Sequence, residues 1–275
     1  MSAGGSGEAH AAIPQNQLIA FGIVGGLVGI YAAYFLSNVA GGVLSFMGAL
    51  GAICATIWGA AAVRRVASYG LGTGVPSIGM LALGMGVVAA MFGLAIGKGL
   101  GIEIAGPVIA VVVASIIGFV IGIFANKVLN MNIPVMEQSM TEIAASGTIL
   151  IIGLAVAMTG TFTFDIVLTE VITTGYIALI FIAGGMALLH PFNANLGPDE
   201  KQDRTLYTAF EKSAIAMIIA GIVALSVQNA SAGMVTIIIG IFLWYIGFMG
   251  FYERVKRDAF KVVGTGLLPT EEELE

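Results

Sequence analysis

The chain has 275 residues, of which 58% are hydrophobic and only 10% charged, with a mean hydropathy of +1.01. Soluble globular proteins carry roughly 25% charged residues, so composition excludes that class and implies an integral membrane protein. The net charge of −5 owes much to Glu271, Glu272, Glu273 and Glu275 at the terminus, and no basic patch suggests nucleic acid.

Cys54 is the sole cysteine, which excludes an intramolecular disulfide and any zinc or iron–sulfur spacing. The first twelve residues hold no Lys or Arg, so a cleaved signal peptide is not expected. Residues 1–15 read as a flexible cytoplasmic N-terminus, 16–252 as a membrane domain and 253–275 as a cytoplasmic tail.

A spanning helix needs about 20 apolar residues. In chain order the candidates are Leu18–Val39, Val43–Val63, Pro76–Ile96, Ile104–Ala125, Thr141–Met158, Ile166–Leu189, Tyr207–Val227 and Ala232–Tyr252. Close-packing faces are predicted where small residues recur on one side. Gly22/Gly26 and Gly25/Gly29 mark the first span, and Ala114, Gly118 and Gly122 the fourth. Gly233, Gly240 and Gly247 form a seven-residue seam in the eighth. The expected architecture is an all-α polytopic bundle of eight spans, or six plus a re-entrant unit formed by spans five and six.

Loop charge gives an orientation. One face receives Arg64, Arg65, Lys127, Lys201, Arg204, Lys212, Arg254, Lys256, Arg257 and Lys261, the other only Lys98. This asymmetry places both termini in the cytoplasm of a multi-pass cell-membrane protein.

The densest polar cluster lies at the entrance to span five, NMNIPVMEQSMTEIAASG, where Pro134 precedes the helix. Ser139, Glu142 and Ser146 follow at i, i+3 and i+7 and share one helical face. Intramembrane carboxylates are costly and mark ion paths or buried partners. The competing reading leaves Glu137 and Glu142 solvated in the headgroup layer, favoured by the helix dipole.

Span six carries a second cluster. Asp165/Thr169 and Glu170/Thr174 are i, i+4 pairs, the oxygen-rich setting that hard cations prefer. Asp165, Glu170 and Thr174 would line the outer half of a Na+ path, and Ser139, Glu142 and Ser146 the inner half. Alternatively, Glu170 sits near the interface while its threonines bond backbone carbonyls. Glu211-Lys212 reads as a locally compensated pair. No catalytic or cofactor-binding motif stands out, and His190 reads as a loop residue.

Taken together, MSAGGSGEAH, FGIVGGLVGIY, NMNIPVMEQSMTEIAASG, LLHPFNANLGPDEKQDRTL, AFEKSAIAM and VKRDAFKVVGTG make nearly the whole chain resemble the C subunits of the tetrahydromethanopterin S-methyltransferase of methanogenic archaea. The C, D and E subunits of that complex are alike in type. The resemblance implies a complex that moves a methyl group from methyl-tetrahydromethanopterin to coenzyme M and couples this to Na+ export. It implies a corrinoid on a partner, related D and E membrane subunits, small single-span subunits and lipid as neighbours. No methyl-transfer active site and no directly bound cofactor, apart from possible Na+, are expected in this chain. Two other readings stay open. A stand-alone secondary transporter would show a helix broken in mid-span, and a structural scaffold would carry no ion path.

Overall fold

The computed structural model describes residues 13–69, 74–194 and 201–259, and among these it is helical with no strand. The parts of the expected N-terminus and tail at 1–12 and 260–275 lie outside the described residues. Among the described residues, seven helices are long and apolar enough to cross a membrane, and a bent pair makes eight if it counts as one span.

α1 (Gln15–Ser37) and α2 (Phe46–Ala67) form the first hairpin. α3 (Val75–Gly99) and α4 (Gly106–Ile123) form the second, and α4 ends in a π-helical turn at Phe124–Val128. α5 (Met136–Thr159) is the hub, packed against α1, α2, α3 and α4, with 94% of its spanning window inside the protein. α6 (Phe164–Val167) continues as a π turn (Leu168–Ile172), and α7 (Tyr176–Leu188) and α8 (His190–Ala194) follow. α9 (Gln202–Val227) and α10 (Ala230–Ala259) close the chain as a third hairpin. Only 17% of the α10 window is buried, because α10 leans almost wholly on α9.

Small residues account for these contacts, since apolar helices gain nothing by leaving lipid except close packing and polar contacts. A Cβ on Gly22 would stand 2.6 Å from Trp58 Cβ, and one on Gly29 would strike the backbone of Gly51. Gly118 and Gly122 press on the α5 backbone at Thr141 and Glu137. The seven-residue seam of α10 meets α9 at the same period: Gly233 faces Leu225, Gly240 faces Ile218, and Gly247 faces Glu211. Those expected faces are all used.

Span six differs from its expected form. The sequence predicts one continuous helix, Ile166–Leu189; instead Phe164–Ile172 and Tyr176–Phe192 meet at 86°. The hinge is Thr173-Thr174-Gly175, where Gly175 takes φ +83, a left-handed conformation open to glycine. Of the alternatives the sequence left open, span five is a whole helix of crossing length, and the break or re-entrant bend lies inside span six. The second arm has 17 residues and is about 25 Å long, close to the roughly 30 Å hydrocarbon core. The first arm therefore lies across the bundle at the end opposite the arginines, where Asp165 pairs with Lys98.

Candidate functional site

The face bearing Arg64 and Arg65 is the basic face of the bundle. α5 enters from it. The chain before α5 is clamped by Asn126 of the α4 π turn, whose amide donates to Ile133 O at 2.9 Å and whose Oδ1 accepts from Ile133 N at 2.9 Å. The same amide nitrogen reaches both Glu137 carboxylate oxygens at 3.0 Å. Glu137 is thus held by a side chain of the preceding helix.

One turn further, Glu142 is 4% exposed. Its Oε2 accepts from Trp58 Nε1 at 2.9 Å and from Gln15 Nε2. Its Oε1 accepts from Gln138 Nε2 at 2.9 Å and lies 3.6 Å from Arg65 Nη1. Arg65 Nη2 donates to Gln138 Oε1 at 2.9 Å, so Gln138 bridges the ion pair. The donors come from the start of α1, the middle and last turn of α2, and α5 itself. A carboxylate offers about four lone-pair sites; three accept hydrogen bonds here and Arg65 adds an ion pair. Desolvating a charge is tolerable only with such pairing.

A cavity of about 310 Å³ opens beside this carboxylate between α1 and α4, lined by Ile19, Ile23, Trp58, Ser115, Thr141 and Ala145, among others. It is largely apolar, with Glu142 and Gln138 at its polar end.

The other expected residues divide into two places. Ser139 is fully buried and its Oγ has no hydrogen-bond partner. Ser146 is buried, donates to Ile143 O at 3.1 Å and packs on Gly59. These two share a helix face with Glu142. Asp165, Glu170 and Thr174 lie exposed on the bent arm and hinge of span six. Glu142 is 17 residues from the α5 terminus at Thr159, about 25 Å of helix, so the two clusters stand near opposite ends of the bundle. The threonines bond backbone rather than carboxylate. Thr169 Oγ1 donates to Asp165 O at 2.9 Å, and Thr174 Oγ1 to Glu170 O at 2.8 Å.

Sequence reasoning missed Gln15, Trp58 and Arg65 as partners of Glu142. One signal could have found two of them: Trp58 and Arg65 are seven residues apart and share a face of α2. It also missed Trp244, whose Nε1 donates to Glu211 Oε1 at 3.3 Å while Lys212 Nζ lies 3.0 Å from the same oxygen. Both tryptophans of the chain therefore donate to a buried glutamate.

Fold and site together define a polytopic helical membrane protein with a buried, hydrogen-bonded and ion-paired carboxylate in its basic half. The particular family follows from the sequence comparisons. Residues 1–272 match the family of the C subunit of tetrahydromethanopterin S-methyltransferase, and the chain belongs to that family. It is 59% identical over 276 residues to the C subunit of the Methanosarcina mazei tetrahydromethanopterin S-methyltransferase, with all of both chains covered. It is 43% identical to the Methanothermobacter thermautotrophicus C subunit and 39% identical to that of Methanococcus maripaludis, each covering 99% of this chain and all of the relative.

Proposed function

We propose that this chain is a membrane subunit of a Na+-exporting methyltransferase complex, that it carries no methyl-transfer centre of its own, and that Glu142 marks the inner part of a cation path. In this reading methyl-tetrahydromethanopterin is the methyl donor and coenzyme M the acceptor, with the corrinoid on a partner. Related D and E membrane subunits and small single-span subunits flank it, and lipid covers the rest. The basic face is cytoplasmic by the charge rule and the membrane is the cell membrane. The exposed Asp165, Glu170 and Thr174 then sit at the outer mouth.

The observation that carries this is the buried Glu142 carboxylate on the most enclosed helix. A helix packed by glycine needs no carboxylate there, and burying one costs several kcal/mol before pairing. The family membership supplies the complex in which a cation path has a use.

Purification in mild detergent tests the assembly. A co-purifying corrinoid absorbance supports membership of the complex, and a solitary 28.2 kDa species contradicts it. The broken span six favours one other reading, a solitary secondary transporter, because such proteins bind substrates at interrupted helices. Uptake of a solute by the isolated chain in liposomes would select that reading.

A further inference from the structure

Three hydrogen bonds, from Gln15, Trp58 and Gln138, hold the Glu142 carboxylate, and Arg65 faces its Oε1 as an ion pair, so an incoming cation competes with these partners. Charge decides which. Gln15, Trp58 and Gln138 are neutral, and among the described residues Arg65 is the one cation that partners Glu142. Displacing a neutral donor would leave two positive charges on one carboxylate in a low-dielectric surround. Displacing Arg65 exchanges one cation for another.

The geometry suits that exchange. At 3.6 Å, Arg65 Nη1 is the loosest of the four contacts, beyond ordinary hydrogen-bond length. Its side chain is 30% exposed, so the guanidinium has a route to water along its own stem. Its other hydrogen bond, at 2.9 Å, goes to Gln138 Oε1 and not to Glu142, so it need not break when Nη1 withdraws. A second polar group on this face of α5 is unsatisfied. The Ser139 Oγ, one turn before Glu142 on the same face and fully buried, has no partner.

We propose that Arg65 is a tethered counter-cation that occupies the Glu142 site in the resting state and competes with the transported monovalent cation for it. Gln138 holds the guanidinium in both positions. This rests on the cation-path reading above and adds a gate to it, because the path is plugged by the protein's own charge until a cation replaces it.

The test uses the whole complex in sealed vesicles and reads the Na+ concentration that half-saturates methyl transfer. Arg65→Gln removes the competitor and is expected to lower that concentration by about fivefold or more, the low end of ordinary coupling between linked sites. Arg65→Lys keeps the charge but loses the planar fork on Gln138, so it gives a smaller fall in the same direction. In a Glu142→Gln background, Arg65→Gln has no further effect. If Arg65→Gln fails to assemble for want of a counter-charge, Arg65→Lys decides alone. An unchanged or raised half-saturation in these Arg65 variants, with Glu142→Gln still altering the Na+ response, overturns the role of Arg65 and leaves the path. A Na+ response untouched by Glu142→Gln overturns the path itself.

Discussion

Trp58 and Glu142 lie 84 residues apart in the chain and meet at 2.9 Å, indole N–H to carboxylate, across the contact of α2 with α5. This pair ties α2 to the hub and supplies one of three hydrogen bonds to a carboxylate that is buried beside a cavity. Trp58→Phe keeps an aromatic ring and deletes the donor. Losing one partner from a buried acceptor that keeps its others costs about 1–3 kcal/mol. Thermal unfolding of the purified complex is expected to shift downward accordingly.

Gly22 is what lets the Trp58 ring lie where it does. A methyl at position 22 would stand 2.6 Å from Trp58 Cβ and 2.7 Å from its ring. Gly22→Ala is expected to destabilise by about 1–3 kcal/mol, the usual cost of overpacking. Gly99 meets nothing within 4 Å, so Gly99→Ala is the matched control and leaves stability unchanged or slightly raised.

The glycine seam of α10 is the main grip on that helix. Gly240→Leu would drive a branched side chain into Ile218 and part α10 from α9. Cysteine pairs across the α9–α10 contact are expected to cross-link readily in the unchanged protein and poorly in the variant, while pairs across α2 and α5 stay unaffected.

At the hinge of span six, Gly175→Ala puts a Cβ on a left-handed residue with open space around it. The cost is backbone strain alone, about 1–2 kcal/mol. Asp165→Asn, by contrast, breaks only the exposed pair with Lys98 and is expected to move stability by less than about 1 kcal/mol. Denaturation of the two variants side by side checks this ordering.

The crossings were legible because length and apolarity identify them without knowledge of neighbours. The α10 seam was legible because Gly233, Gly240 and Gly247 recur at the spacing of one helix face. The hinge was not, since Thr173-Thr174-Gly175 sits in an apolar run and one glycine among 39 carries no mark of its positive φ. Glu142 was singled out by cost alone. Its coordination stayed hidden because Gln15 and Trp58 come from 127 and 84 residues away, a pairing only the packed bundle reveals. Around Asp165 and Glu170 the spacing left two readings open, and Thr169 and Thr174 bond backbone carbonyls, as the second of them expected.

The most direct measurement is Na+ movement driven by methyl transfer in sealed vesicles containing the complex with Glu142→Gln. A cation path through Glu142 predicts that the methyl-transfer components still assemble while Na+ export is lost or its Na+ dependence markedly altered. Export and Na+ dependence identical to those of the unchanged complex would contradict it.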